Sequence, residues 1–506
     1  VNSAVENADI NGPSYVSLVS SVGIAHHSAG SISIIPYTGS ANARRILISE
    51  ASQLAFSGAT KSESPAVRSL AALIKIGQSA APKNDPNARS RKIHLDFDKL
   101  RAESGRVVSI DGSVTWSDVY AAVQMSGATI QETNHSSTRD DSLINYCSPL
   151  QTLEFLDQDG AVIGGGCGLT REQALRSALG EAAERIIAQT PDAQMIFLAT
   201  ADGLRRDGWA IPEIEYGPRD AYSDSTYIDW MIASTITGHR AAIPAELAYY
   251  NYHPLSGVKA FALQHTAGLA AGGTLEEAVW HGLTELLERD AYWITMRTRH
   301  SFPEISADLV KNVEPELLRE ISEAGLKVVL KDISLDWPIR IVHATLIDES
   351  NRIPGFSHGV GSHVNWAYAA VKAVRESIQV RTGLIRHCQQ SLSEVIFPLD
   401  SMKWPPSAWS DPTSADLLSH LFEGGGMDYP SSTHAVGIED AIAAIQKTAG
   451  QVFWTVLGNL GPLQVVRVVV PNCVKPDRNP GFVSLRLQKW LDVFGLASPY
   501  DVPILT

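Results

Sequence analysis
Apolar residues recur along this chain in two rhythms. In "TREQALRSALGEAAER" (170–185) and "TLEEAVWHGLTELLER" (274–289) they return every three to four positions, which is the period of an amphipathic helix. "LEFLDQDGAVIGG" (153–165) and "IRIVHATLI" (339–347) are short apolar runs and predict strands, with a hairpin at Asp159-Gly160. Thr170 with Gln173 and Thr274 with Glu277 form capping boxes, and Asn365 is a good N-cap for a third helix. A glycine-rich run precedes each cap: "GGGCG" (164–168), "GLAAGG" (268–273) and "HGVGS" (358–362). Each unit therefore reads as hairpin, glycine turn, helix. The expected fold is mixed α/β (α+β), with this unit duplicated and a small N-terminal domain added.

The pattern also marks a boundary. Residues 77–92, "GQSAAPKNDPNARSRK", are polar, carry two prolines and lack apolar periodicity. They predict a linker over 77–105. Before it, residues 1–76 hold strand-like pieces ("SYVSLVSSVGIAHH", "GSISIIPY", "RRILIS") and a helix-like one ("SPAVRSLAALIKI"). This small α/β domain is a structural appendage, or a docking module that takes an extended peptide by strand addition. A main domain follows over 106–506.

The helices repeat. Shifted by 104, 170–185 and 274–289 are identical at seven of sixteen positions, including Glu181 with Glu285, Glu184 with Glu288 and Arg185 with Arg289. A third copy, "NWAYAAVKAVRESIQVR" (365–381), aligns Glu376 with Glu285 and Gln379 with Glu288, with Arg381 one place late. Three distant copies suggest a duplicated core rather than a solenoid. Residues i and i+3 share a helix face. Glu181 with Glu184 and Glu285 with Glu288 thus make parallel pairs, and four carboxylates in one cleft repel unless cations stand between them. Mg²⁺, a hard ion that takes oxygen ligands and substrate phosphates, fits best. Arg185 and Arg289 could neutralise phosphate oxygens. The plainer reading of either ExxER alone is a solvated ion pair. A glycine turn entering a helix N-terminus could cradle phosphate, or could serve only close packing.

Composition narrows the class. The chain has 506 residues and a net charge of −14, which argues against a basic nucleic-acid-binding face. It has no apolar run long enough to span a membrane and no basic-then-apolar opening like that of a signal peptide. Cys147, Cys167, Cys388 and Cys473 lie far apart without CxxC spacing, which fits a reducing cytoplasm. No P-loop, dinucleotide fingerprint, HExxH or GxSxG elbow is present. His26-His27 would point to opposite faces of a strand, a poor metal site, and Trp280, Trp293 and Trp366 sit at core-like spacings.

The stretches "GGGCGLTREQALRSALGEAAERI", "GLAAGGTLEEAVWHGLTELLERDA" and "AVKAVRESIQVR" resemble the three signature helices of the YcaO superfamily, and the likeness runs from about residue 106 onward. The resemblance implies an ATP- and Mg²⁺-binding enzyme that phosphorylates a peptide backbone amide after attack by a nucleophile. A side chain of Cys, Ser or Thr gives azolines; external sulfide gives thioamides and an amine gives amidines. It implies that Glu181, Glu184, Glu285 and Glu288 hold Mg²⁺, and that Arg289, Glu277, Arg381, Ser177 and Ser117 (or Ser113) contact ATP. It further implies a precursor peptide, a leader-binding partner, a dehydrogenase and a homodimer. The sequence departs from the family in three places. Gly273 stands where many relatives have Asn, "GSVTWSDVYAAVQ" offers no lysine, and "SPYDVPILT" lacks the PxPxP ending of many azoline-forming members. A scaffold that binds nucleotide or peptide without chemistry is the alternative.

Overall fold
The computed structural model describes residues 95–500, except 104–105, 110–113, 134–147, 159, 193–194, 214–221, 253–261, 263, 392–414, 425–436 and 475–481, together with the backbone of three strands near the N-terminus. Those strands, β1 (Val16–Ser20), β2 (Gly23–Ser28) and β3 (Ser31–Pro36), form an antiparallel meander and include the His26-His27 pair. The remaining pieces expected over 1–76, the polar stretch 77–92, Ser113 and the tail beyond Tyr500 lie outside the described residues. The linker expected to reach 105 ends sooner. Leu95 and Leu100 are buried in the main core, and β4 (Leu100–Glu103) pairs with β5 (Arg106–Ser109).

Among the described residues, three antiparallel sheets larger than the β4–β5 ribbon build the main domain. One holds β6 (Thr129–Thr133), β7 (Gln151–Leu156) and β8 (Val162–Gly168) in that order. The next holds β9 (Ile196–Ala199), β10 (Ile228–Thr235), β11 (Arg240–Pro244), β12 (Leu269–Gly272), β17 (Phe453–Leu460) and β18 (Leu463–Val469). Its order is β11-β10-β17-β18-β12, with β9 beside β10. The last holds β13 (Glu304–Ile305), β14 (Leu326–Asp332), β15 (Arg340–Asp348) and β16 (Phe356–His363). Seven helices of nine residues or more are described: α1 (Trp116–Met125), α2 (Arg171–Ala188), α3 (Leu275–Thr298), α4 (Pro315–Glu323), α5 (Trp366–Ser391), α6 (Ile438–Ala449) and α7 (Leu485–Val493).

The expected grammar holds with two corrections. Apart from Gly268, which lies in a turn, and Gly273, the glycine runs are not turns. They are the end strands β8, β12 and β16, each leading within two residues into α2, α3 or α5. In the middle unit, moreover, the strand paired with β12 is β18, from nearly 200 residues later, so that hairpin is not local. The glycines let strand backbone lie directly on helix backbone. A Cβ on Gly166 would stand 2.2 Å from the carbonyl oxygen of Ala174, and one on Gly361 2.3 Å from that of Ala369. Close packing is what these glycines allow. Gly361→Ala should therefore lower stability by about 1–3 kcal/mol, because strand and helix must part. Denaturant melts check this, and an unchanged midpoint would contradict it.

Elsewhere the packing is ordinary and holds the helices still. Ala174, Ala178, Ala182 and Ala183 form the buried stripe of α2, and α3 is buried on most of its surface, Trp280 and Trp293 included. Trp366 is partly buried and carries the Arg340 guanidinium on its ring. Arg486 of α7 binds Asp290 and Asp336 at 2.7 Å and lies over Trp337, which fixes α3 immediately beyond Arg289.

Candidate active site
The three units are arranged as a ring. α2 packs on its own strand β8 and on β12, α3 on β12 and β16, and α5 on β16 and β8. The side chains follow the same cycle. The first carboxylate of each helix accepts an N–H from its own strand or the residue just before it: Glu181 from Gly165 at 2.9 Å, Glu285 from Gly268 at 3.0 Å and Glu376 from Val360 at 2.6 Å. The residue three places on reaches the next strand. Glu184 accepts from Ala271 N–H at 2.9 Å, and Glu288 from the Ser362 hydroxyl at 2.9 Å. Gln379 lies against Gly165. One turn earlier on the three helices stand Ser177, His281 and Lys372, which share a register.

This order follows from local rules carried into a closed packing. The boxes at Thr170 and Thr274 form as expected: their hydroxyls accept N–H bonds from Gln173 and Glu277 at 3.3 Å, while Gln173 and Glu277 accept from Leu169 and Gly273 at 3.1 Å. The caps start the helices in the same phase, so the ExxE stripes reach the same height. Backbone N–H groups in or just before the strands take one oxygen of Glu181, Glu184, Glu285 and Glu376, and the Ser362 hydroxyl takes one of Glu288.

Cations stand close to the ring. Arg185 binds Glu181 at 3.2 Å and lies 5.7 Å from the Tyr250 ring. Arg289 binds Glu376 at 2.7 Å and approaches Glu285 at 3.9 Å. Lys372 donates to the Ser362 carbonyl at 3.1 Å and approaches Glu288 at 3.9 Å. Burial, with the neighbouring charges of Glu285 and Glu181, holds the Glu184 carboxyl well above the ordinary range. Burial raises Glu285 against the pull of Arg289. Burial also pushes Glu288 up to about 7, with Glu376 and Glu285 adding to it and Lys372 opposing. Glu376 is the exception: burial would raise it, but Arg289 holds it below the usual carboxylate range.

All four glutamates expected to hold metal therefore stand in this ring, and Arg289 with them. No three His, Cys, Asp or Glu side chains among the described residues meet at one ligating point. The acids come in pairs instead: Glu184 with Glu285 beside β12, and Glu288 with Glu376 beside β16. Two carboxylates per ion suit Mg²⁺, which keeps waters and takes substrate phosphates for its other ligands. The all-oxygen donors and the mutual repulsion fit that ion.

Among the expected nucleotide contacts, Ser177 lies half-buried on the α2 stripe one turn before Glu181. Glu277 caps α3. Ser117 is exposed in the first turn of α1, whose entry residue Val114 occupies the space beside Gly273; a Cβ there would stand 2.8 Å from it. Arg381 has partners on the β15–β16 side of α5. It is fully buried, bonded to the Pro354 carbonyl at 2.8 Å and paired with Asp348 at 3.5 Å, and so ties down the β15–β16 connection. Sequence reasoning left out Glu376, Gln379, Lys372, Ser362 and His281 as site residues. The third-copy alignment was the signal for the three on α5.

Raised carboxyls make a pH prediction. A folded-state pKa above the unfolded one contributes stability that is full below the unfolded value, about 4.3 for Glu, and lost as pH rises through the folded value. Without metal, Glu184, Glu285 and Glu288 should thus cost stability as pH rises toward 8, whereas Mg²⁺, which needs them ionised, should bind better there. Melting with EDTA and with excess Mg²⁺ across this range should show a metal-induced shift that grows with pH. A shift independent of pH would contradict the assignment.

Known proteins bear on the site. A family model described as YcaO cyclodehydratase, ATP- and Mg²⁺-binding, matches residues 165–474. A protein of Methanothermobacter thermautotrophicus, named as uncharacterized, is 30% identical over 352 residues, covering 65% of this chain and 87% of its own length. A Rhizobium leguminosarum bv. trifolii protein, named for its place in the tfuA 3′ region, is 29% identical over 353 residues, covering 64% of this chain and 79% of its own. Among solved structures, a heterocyclase in complex with substrate and cofactor superposes with a TM-score of 0.62 at 16% identity, covering 100% of this chain and 79% of that one. At that identity the likeness is one of fold. No described helix is long and apolar enough to cross a membrane.

Proposed function
Because the chain belongs to the YcaO family, whose members are ATP- and Mg²⁺-binding, we propose that its ring of glutamates serves ATP-dependent activation of backbone amides in a ribosomally made precursor peptide. The chain is an enzyme of the YcaO type. Within that type, the reading is cyclodehydration of Cys, Ser or Thr to thiazoline or oxazoline. The observation that supports it is the paired carboxylates at β12 and β16, intact and flanked by Arg289 and Lys372.

Each residue then has a task. Glu184 with Glu285, and Glu288 with Glu376, would hold Mg²⁺, with Glu181 beside them. When bound, Mg²⁺–ATP supplies the phosphoryl group that turns the amide oxygen into a leaving group. Arg289 and Lys372 present donors toward phosphate oxygens, and Arg185 stands ready to do the same from α2. Ser117, Ser177 and Glu277 border the end of the ring where α1, α2 and α3 begin, which suits the rest of the nucleotide. The helices are fixed by strand N–H bonds and by the Asp290–Arg486 clamp, so the nucleophile and the amide carbon can be held in place without reorganisation. A leader-binding protein, a dehydrogenase and a second copy of the chain are the proposed partners, and residues 1–76 the proposed docking module.

Mass spectrometry of the precursor tests this. With chain, peptide, partners and ATP, each ring should remove about 18 Da, the mass of the water lost, and release one ADP and one phosphate. Attack by external sulfide would instead add about 16 Da, since sulfur replaces oxygen. No ATP-dependent mass change under these conditions would leave only the scaffold alternative.

A further inference from the structure
The ring has three junctions, each an end strand gripped from two sides. At β12, Glu285 accepts from Gly268 and Glu184 from Ala271. At β16, Glu376 accepts from Val360 and Glu288 from Ser362. At β8, Glu181 accepts from Gly165, and the group arriving from α5 is Gln379. A Cβ placed on Gly165 would lie 2.8 Å from Nε2 of Gln379 and 3.7 Å from Oε2 of Glu181, so the two share that junction. Two junctions carry two carboxylates each, and the third carries one carboxylate and one amide.

We infer that Gln379 keeps the β8 junction free of divalent metal, so that the ring takes cations at the β12 and β16 junctions alone. This rests on the reading of the glutamate pairs as Mg²⁺ sites. Two facing carboxylates repel each other, and a divalent ion between them relieves that repulsion. At β8 there is nothing to relieve. Glu181 stands there as a lone carboxylate that accepts the Gly165 N–H, and Gln379 turns the Nε2 donor of its amide toward the same place. A strongly hydrated ion facing one carboxylate and an amide N–H donor gains too little to shed its water. Gln379 is thus a positioning residue for charge, setting how many ions the ring holds.

Mn²⁺ titration of the full chain, with free ion followed by electron paramagnetic resonance, counts the sites directly. Gln379→Glu should bind one ion more than wild type. It should also melt lower in EDTA and show a larger metal-induced rise in melting temperature. Gln379→Met, which changes packing but not charge, should bind the wild-type number. Should Gln379→Glu not fold, the swapped pair Glu181→Gln with Gln379→Glu keeps one carboxylate at the junction and should also bind the wild-type number. A Gln379→Glu protein that binds no more Mn²⁺ than wild type would overturn the inference, as would a swapped pair with a changed count. Glu285→Gln separates this from the parent reading, since it should lose an ion. If it does not, or if wild type binds no Mn²⁺, the metal assignment of the ring falls and this inference with it.

Discussion

Replacing Glu285 by glutamine should abolish turnover while leaving the fold intact. The amide keeps the length of the side chain and can still accept the Gly268 N–H at the observed 3.0 Å. What it removes is one of two facing charges at the β12 junction. A metal ion stabilises developing charge by several kcal/mol, so losing its seat should cut the rate by about a thousandfold or more. Stability should move the other way. Glu285 is raised by burial, and its charge is the leading electrostatic contribution to the raising of Glu184. The variant should therefore melt at or above the wild-type temperature in EDTA, yet gain less on adding Mg²⁺. Rate measurements paired with melts in EDTA and Mg²⁺ check both halves. A variant that turns over normally would remove Glu285 from the chemistry, and one that melts lower in EDTA would mean that its charge is structural.

Arg289 should carry the next largest effect. Its guanidinium joins α3 to α5 through Glu376 at 2.7 Å while facing Glu285 at 3.9 Å. Arg289→Lys keeps the charge but loses the planar fork. It cannot hold Glu376 and a phosphate oxygen together in the same geometry, and turnover should fall at least tenfold, about 1.4 kcal/mol of transition-state stabilisation. Arg289→Met should also cost about 2 kcal/mol of stability, since the Glu376 carboxylate loses its charged donor near Glu288. Steady-state kinetics on the lysine variant and denaturant melts of the methionine variant separate these effects. Wild-type kinetics with lysine would exclude a role for the fork.

The helices, their caps and the offset of 104 between ExxER copies were legible in the sequence because each is local. A capping box spans four residues, and a stripe repeats every turn. That the four glutamates belong to one site followed from the repeat, and the resemblance carried by those same residues led to the family. Tertiary structure decided the rest. The glycine runs became strands because a helix backbone lies on them closer than any Cβ permits, a contact that no local pattern records. β12 took its partner from β18 because sheet pairing is made at long range. The cyclic order α2, α3, α5 brought Glu376, Lys372 and Gln379 of the weakest copy into the ring, whereas the same helix sent Arg381 to Asp348 instead. By itself the sequence determined which side chains share a helix face. Which faces meet, and so whether neighbouring acids stand as a pair or beside an amide, depended on how the three helices pack on the end strands of three sheets, which no single segment contains.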